Sequence, residues 1–330
     1  MGSGNLGPVE QCRRRGANVM SEAAHIPMRR APGGNLITRM LSRVISGRAL
    51  VIAVPLVWLL IFFVIPFVVV LQISLTDAAI ARPPYTPLFG DNWEFYGDLE
   101  NYAFLLSDAL YINAYLSSLK IALISTLLAL LIGYPMAYYI ARTEEPKRSL
   151  LLMLIILPFW TSFLLRVYAW IGFLSLNGVI NNTLISIGII SEPIVMLQTD
   201  FAVYIGIVYT YLPFMILPLY ANLVKMDVSL IEASQDLGAS PMSTFFRITL
   251  PLSLPGVIAG SMLVFIPAIG EYVIPALLGG PDTLMIGKVL WTEFFNNRDW
   301  PVASAVATVM LVVVVLPIIL LRNAQPKEPS

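Results

Sequence analysis

Six long apolar runs constrain the fold of this chain more than any other feature of the sequence. They cover roughly residues 49–71, 116–140, 150–173, 201–223, 256–278 and 302–321. A bilayer core requires about 20 apolar residues per helix, and continuous runs do not match the alternating pattern of barrel strands. Only 12% of the residues are charged, about half the usual share in a soluble domain. The sequence therefore predicts an all-α, polytopic membrane protein with six transmembrane helices.

Basic residues are distributed unevenly between these runs. Most of the 20 lysines and arginines precede the first run or lie in residues 141–149, 225–255 and 322–330. Because positively charged loops remain cytoplasmic, we expect a multi-pass membrane protein with both termini and residues 225–255 in the cytoplasm. The first outer loop is acidic. This charge fits either ordinary depletion of basic residues on that side or a field that favours incoming cations.

The polar ends of the chain define the expected domain boundaries. We expect a disordered cytoplasmic tail at 1–48, a membrane domain at 49–322 and a cytoplasmic tail at 323–330. Cys12 and His25 are the chain's one cysteine and one histidine, so we expect no disulfide, metal site, cofactor or catalytic set. We also expect contact with membrane lipids and no nucleic-acid partner. Residues 280–288 have the wrong spacing for a phosphate-binding loop, so any ATPase must be another chain.

The polar segment 225–255 is too long and too structured for a simple connection between spans. Ser229 and Glu232 have the spacing of a capping box at the start of a short helix. Gly238 permits a reversal, and the following Ser-Pro pair starts a second helix. We expect Pro251 and Pro255 to end that helix before the fifth span. The segment also carries an apolar face that predicts docking into a groove of another protein: Ala233, Leu237, Met242, Phe245 and Phe246.

Two charged residues fall inside the predicted third and fifth spans. Counted from the cytoplasmic ends of those spans, Arg166 and Glu271 both lie near the outer boundary. Charges at such depth are costly, and they are usually paired or functional. Two interpretations stay open. Either the two residues form a structural ion pair, or Glu271 faces the pathway and meets a cationic substrate.

Aromatic residues occur at the same outer level. They fit either an interfacial aromatic belt or a surface that binds cations through ring faces. Together with Arg166 and Glu271 they complete the candidate pathway: Trp160, Tyr168, Trp170 and Tyr272.

Small residues and prolines indicate how the spans pack. Gly256 and Gly260 have the spacing that lets membrane helices approach closely, and we expect a contact within the chain rather than between two copies. Prolines interrupt five of the predicted spans. Because each proline removes a backbone donor, this density favours kinked helices around a path over a passive anchor.

Residues 232–251 resemble a motif of the permease subunits of ATP-binding-cassette importers. The motif reads Glu-Ala-Ala, three residues, Gly, nine residues, Ile-x-Leu-Pro, and it is matched here by Glu232, Ala233, Ser234, Gly238, Ile248, Leu250 and Pro251. The one departure is Ser234 in the third position, a change that we expect to leave docking intact. The resemblance implies the type I (MetI-like) permease fold. It also implies that these residues form the loop that couples the ATPase to the spans.

Three further stretches, 157–170, 177–182 and 271–282, look like the first permease subunit of polyamine importers, and 294–307 looks like its putrescine-type member. The resemblance covers about residues 50–322. It implies import of putrescine, or secondly spermidine, across the bacterial inner membrane by a chain that is not itself an enzyme. The implied partners are two copies of an ATPase, a second homologous permease and a periplasmic polyamine-binding protein. Two alternatives stay open: an importer of an amino-acid derivative or anion, and a self-contained secondary transporter.

Overall fold

The computed structural model describes residues 47–89 and 94–324. The predicted tail 1–48 therefore lies almost wholly outside the described residues, as does most of 323–330. The chain divides into two units, 1–65 and 66–330. The described part of the first unit is one helical stretch, and the second unit contains the buried core.

The described residues are mostly helical and contain no β-strand, only two isolated bridges. The helices are α1 Gly47–Leu59, α2 Ile65–Ile73, α3 Glu100–Ser107, α4 Ala109–Arg142, α5 Lys147–Ile156, α6 Phe163–Leu174, α7 Val179–Ser186, α8 Asp200–Leu223, α9 Ser229–Asp236, α10 Pro241–Thr244, α11 Leu250–Ile269, α12 Val273–Leu277, α13 Ile286–Trp291 and α14 Trp300–Ala324.

Several helical stretches are long and apolar enough to cross a bilayer. They are Val51–Ile73, Ala109–Arg142, Phe163–Ser186, Asp200–Leu223 and Pro241–Ile269, with a shorter apolar stretch at Trp300–Leu316 inside α14. The side chains of Val51–Val64 are all exposed. An apolar exposed face of this kind suits a helix that faces lipid or another membrane chain.

The core of the second unit is built by α4, α8 and α11, which pack on one another. A Cβ atom added to Gly256 would lie 2.8 Å from Cβ of Asn222, and one added to Gly260 would lie 2.9 Å from Sδ of Met215. Any larger residue would push α11 away from α8, because real Cβ contacts are not that short. The prediction that this glycine pair packs within the chain is confirmed.

The predicted third span is not one continuous helix. α5 ends at Ile156, a 3₁₀ turn covers Leu157–Trp160, and α6 begins only at Phe163. Pro158 explains the break, since a proline has no N–H for an α-helical bond and fits the first turn of a new helical segment. The depth that we assigned to Arg166 assumed an unbroken helix, and that assumption is wrong.

The predicted boundaries of the fifth span are also wrong at both ends. α10 continues through a π-turn, Phe245–Thr249, directly into α11, so Pro251 and Pro255 do not end a helix. The wide π-turn before Pro251 removes the close carbonyl that a proline ring would meet in a regular α-helix. At the other end α11 stops at Ile269 and α12 starts at Val273. Glu271 therefore lies in a helix break and not inside a helix.

Candidate functional site

The two ends of α11 carry the candidate functional residues. At its beginning, α9 and α10 form a two-helix elbow, residues 229–249, that reverses at Gly238. The φ angle of Gly238 is +81°, and the N–H of Gly238 donates to the carbonyl of Gln235 at 2.8 Å. No atom lies within 4 Å of a Cβ built at this glycine. Glycine therefore suits this position because of the left-handed backbone, and not because space is lacking.

The start of the elbow differs from the predicted capping box. Ser229 is the first residue of α9, and its N–H donates to Oδ1 of Asp227 at 2.9 Å. Asp227 is therefore the capping side chain, and Ser229 is not. This hydrogen bond holds the pKa of Asp227 below its ordinary value. The predicted start of the second helix is confirmed, because Oγ of Ser240 accepts from the N–H of Ser243 at 3.3 Å.

The elbow exposes large apolar side chains. Leu237 at the tip is 90% exposed, Met242 is 67% exposed and Phe246 is 56% exposed. Phe245, which we predicted on the same face, instead turns inward and places its ring edge against Tyr134 of α4 at 5.5 Å. The elbow thus rests on the helix bundle through one aromatic ring and leaves its apolar tip uncovered.

The motif residues divide into an exposed and a half-buried group. Glu232 and Ala233 are exposed on α9, and Pro251 is exposed at the start of α11. Ile248 and Leu250 are half-buried, and the side chain of Leu250 packs against the apolar cluster around Met215. Glu232 and Ala233 therefore face outward, Ser234 between the two arms is buried, and Leu250 fastens the start of α11 to the bundle.

A cleft of about 600 Å³ opens inside the elbow. Leu237, Arg247 and Ile248 line its walls. Its two most buried lining residues are Ser234 and Thr244, whose hydroxyl oxygens lie 2.5 Å apart. The elbow therefore offers a partner both a projecting apolar tip and a concave pocket.

The other end of α11 is organised by Glu271. Its carboxylate is buried, and Oε2 accepts from the Tyr211 hydroxyl at 2.5 Å. Oε1 accepts from the N–H groups of Val273 and Ile274 at 3.1 and 3.4 Å. These are the first amides of α12, so the carboxylate acts as an N-terminal cap that ties α12 to α8. Both carboxylate oxygens are satisfied by the chain itself.

Arg166 does not pair with Glu271. Within the described residues the one ion pair is Arg148 with Glu145. The Arg166 guanidinium instead lies 5.7 Å and 5.9 Å from the ring centres of Phe159 and Phe163, and its Nε has no hydrogen-bond partner. The structural-bridge interpretation is therefore wrong.

The four predicted outer aromatics do not form one cluster. Where the structure describes them, Trp160 and Tyr168 are strongly exposed and make no ring contact. Trp170 packs edge-on against Tyr209. Tyr272 stacks flat on Trp291, with ring centres 4.4 Å apart. None of the four rings touches another of the four.

The stack on Tyr272 continues along residues that the sequence analysis missed. Trp291 contacts Phe295 at 4.1 Å, and Phe294 connects Phe295 to Trp300 at 4.9 Å and 5.1 Å. We call this row, from Tyr272 to Trp300, the aromatic row. It begins beside Glu271, because the carboxylate fixes the start of α12 directly after Tyr272.

Comparisons with known proteins identify the family. Residues 129–326 match the family described as "Binding-protein-dependent transport system inner membrane component". The chain is 42% identical over 270 residues to the "Spermidine/putrescine transport system permease protein PotB" of Salmonella typhimurium (strain SL1344), a match that covers 81% of this chain and 90% of that protein. The Escherichia coli (strain K12) protein of the same name is also 42% identical over 259 residues, covering 78% of this chain and 90% of that protein.

The chain belongs to this family. It is an inner-membrane permease component of an ABC importer, not an enzyme. A chain in the crystal structure of a bacterial alginate ABC transporter, in complex with an alginate pentasaccharide-bound periplasmic protein, has the same fold. Its TM-score is 0.62 at 18% identity, over 84% of this chain and 94% of that one. The predicted fold class is confirmed.

The residues of the aromatic row that were not predicted have a recognisable signal in the sequence of the permease. Residues 291–300 hold Trp291, Phe294, Phe295 and Trp300 within ten positions. Part of this stretch carries the resemblance to the putrescine-type permease, and its ring content is the signal for the aromatic row. The partners of Tyr272 depend on how α12 and α13 fold back on each other, and apolar runs alone do not define that arrangement.

Proposed function

We propose that this permease carries a polyamine, putrescine or spermidine, into the cytoplasm as part of an ATP-driven importer. The observation that carries the proposal is the 42% identity, over 81% of this chain, to a spermidine/putrescine permease. A relative named for another solute, the "Molybdenum transport system permease protein ModB" of Mycobacterium bovis, is 32% identical over 63% of this chain. The weaker match leaves polyamine as the better supported cargo.

The distribution of charge supports the orientation that we propose. With residues 225–255 and both termini in the cytoplasm, the elbow faces the compartment that contains ATP. The permease then assembles with a second homologous permease, two copies of an ABC ATPase and a periplasmic polyamine-binding protein. The exposed tip around Leu237 supports a docked partner, because a protruding apolar group of this size is stabilised when a protein covers it.

The elbow is the element that we assign to energy coupling. Its motif residues are Glu232, Ala233, Ser234, Gly238, Ile248, Leu250 and Pro251. The Phe245 ring joins the elbow to α4, and the unbroken helical path through the π-turn joins it to α11. ATP-driven movement of the elbow is therefore transmitted to two core helices. A shift between inward-facing and outward-facing states requires a difference of only a few kcal/mol in the partners' binding to the two states.

We place the cation-contacting surface on the aromatic row rather than on Glu271. Ring faces attract alkylammonium groups, and Trp291 and Phe295 are 40% and 53% exposed. The Glu271 carboxylate, enclosed by three donors, positions Tyr272 and does not meet the cargo directly. Trp170 against Tyr209 offers a second ring surface. The exposed Trp160 and Tyr168, with Arg166 between them in sequence, suit an interfacial belt.

Ligand-stimulated ATPase activity tests the proposed function. The permease is reconstituted in proteoliposomes with the ATPase, second permease and binding protein of its own transport system. We expect putrescine- or spermidine-loaded binding protein to stimulate ATP hydrolysis and uptake, and an amino acid or molybdate to have no effect. Stimulation by one of those other solutes alone would reassign the cargo. Uptake by this chain alone, driven by an ion gradient, would refute the importer mechanism.

A further inference from the structure

Ser234 is the position at which this chain departs from the family motif, and its side chain makes a specific contact. The hydroxyl groups of Ser234 and Thr244 lie 2.5 Å apart, with the two residues only 8% and 4% exposed. Ser234 belongs to the first arm of the elbow, α9, and Thr244 ends the second arm, α10. The motif's alanine could not make this bond, since it has no hydroxyl group, so we no longer expect the exchange of alanine for serine to be neutral for docking.

Every other polar side-chain bond that the structure describes in the elbow stays within one arm. Asp227 caps the first arm and Ser240 caps the second. Around Gly238 the backbone bonds close the end of α9, including that from the N–H of Ala239 to the carbonyl of Ser234 at 3.1 Å. These bonds end each helix locally. They leave the angle between the two arms to the Ser234–Thr244 bond and to apolar packing.

The same two residues are the most buried part of the 600 Å³ cleft. A change in the angle between the arms changes the distance between the cleft walls, where Leu237 and Ile248 lie. The bond therefore lies where it can influence the shape of the surface that the elbow presents to a partner. Because the two residues are only 8% and 4% exposed, a hydroxyl that loses its partner there costs more free energy than one on an open surface.

We propose that the Ser234–Thr244 hydrogen bond is a positioning device that holds the two arms of the elbow in the shape that the ATPase binds. The proposal rests on the coupling role proposed above for the elbow. Neither hydroxyl touches a reacting group. Both act through the position of the exposed residues around them, Leu237 above all.

A double-mutant cycle on ATPase binding tests the device. Permease variants in lipid nanodiscs are titrated with the purified ATPase subunit of the same transport system. We expect Ser234→Ala and Thr244→Val each to weaken binding about three- to tenfold. We expect the double variant to bind no worse than the weaker single variant, because both changes remove one shared interaction. Thr244→Ser keeps the hydroxyl and should bind like the native chain.

A second readout separates positioning from general loss of structure. In the reconstituted importer, Ser234→Ala and Thr244→Val should each lower the ratio of stimulated to basal ATP hydrolysis. Thr244→Ser should keep the native ratio. Native binding by Ser234→Ala, or losses that multiply in the double variant, would overturn the proposal. Gly238→Val distinguishes failure of the elbow's coupling role from failure of the positioning device alone. If this variant binds the ATPase and imports normally, the coupling role fails as well. If it uncouples while Ser234→Ala behaves natively, only the positioning device fails.

Discussion

The two helix breaks on either side of Pro241–Ile269 differ in how they are stabilised. The continuous helical stretch Pro241–Ile269, which ends with α11, follows one break at Gly238 and precedes another at Glu271. The first break is open: its glycine has no neighbours around a Cβ position, and the adjacent Leu237 is 90% exposed. The second break is closed: its carboxylate is buried and accepts three hydrogen bonds from its own chain.

The elbow therefore has an exposed surface that a partner can cover, whereas the Glu271 break is stabilised by hydrogen bonds within the chain. Exposed apolar side chains at the elbow gain stability only when another protein covers them. The Glu271 end is internally satisfied, so it defines the position of Tyr272 whether or not a partner is bound. Changes at the closed break should therefore act on folding, and changes at the open break should act on assembly and coupling.

The largest effect that we expect comes from Glu271→Ala at the closed break. The change leaves the Tyr211 hydroxyl and the amides of Val273 and Ile274 without their acceptor, and each orphaned donor costs about 1–3 kcal/mol. We expect a marked fall in thermal stability and in membrane abundance, measured on purified permease and by immunoblot of membranes.

Two variants sharpen this prediction. Tyr211→Phe removes one of the three hydrogen bonds and should cost less, about 1 kcal/mol. Glu271→Gln keeps one acceptor oxygen, and we expect reduced abundance with an unchanged KM for polyamine. A KM that rises more than about tenfold for Glu271→Gln, with normal abundance, would return Glu271 to the substrate pathway.

At the open break, Gly238→Val should stop coupling while the protein stays in the membrane. A non-glycine residue in the left-handed region costs about 1–2 kcal/mol, and a β-branched residue is tolerated there least. We expect polyamine uptake to fall at least about tenfold at normal membrane abundance. Gly238→Asn is the matched control, since asparagine adopts positive φ readily, and it should keep most of the uptake. Equal uptake by both variants would contradict the role of the backbone at this turn.

A smaller effect should follow from changing the aromatic row. Trp291→Leu removes an exposed ring face that stacks on Tyr272, and cation–π contacts contribute about 0.5–2 kcal/mol. We therefore expect the KM for polyamine uptake to rise about two- to thirtyfold at near-native abundance. Trp160→Leu is the control, because Trp160 is exposed and contacts no ring in the described chain. A larger KM change for Trp160→Leu would move the cargo surface to the other aromatics.

The smallest effect concerns the cap at the start of the elbow. Asp227→Ala removes the acceptor of the Ser229 N–H, and hydrogen exchange of the first amides of α9 should become faster. The pKa of Asp227 is lowered in the folded chain, so the cap contributes above the ordinary carboxyl pKa and is lost as pH falls through the lowered value. Asp227→Asn keeps an acceptor oxygen and should remove this pH dependence while keeping protection. Identical exchange in all three chains would exclude Asp227 as the cap.

The sequence predicted which segments of the permease are helical better than it predicted where the helices break. Apolar runs were sufficient to predict a helical membrane fold, and the spacing around Gly238 was sufficient to predict the elbow. Proline was misjudged in both directions: Pro158 broke a predicted span, whereas Pro251 and Pro255 lie inside a continuous helix after a π-turn. The rule that proline breaks a helix considers only the proline itself. It does not account for a preceding π-turn that lets the helix continue.

Long-range side-chain contacts were beyond prediction for a related reason. The sequence placed Arg166 and Glu271 at similar depth only because both spans were assumed to be unbroken. Glu271 bonds to Tyr211, a residue 60 positions away, and Tyr272 stacks on Trp291. Such partners follow from how short helices fold back after a break. No periodicity in the apolar runs encodes that geometry.

Site-directed cross-linking tests the central claim, that the elbow is the surface held by the ATPase. Cys12 is replaced by serine, and single cysteines are introduced at Leu237 in the elbow tip or at Tyr96, an exposed residue of the predicted outer loop. In assembled, transport-active complexes we predict that Leu237→Cys cross-links to the ATPase subunit, with a yield that changes when ATP is added, and that Tyr96→Cys does not. Cross-linking from Tyr96→Cys, or none from Leu237→Cys in an active complex, would contradict the account.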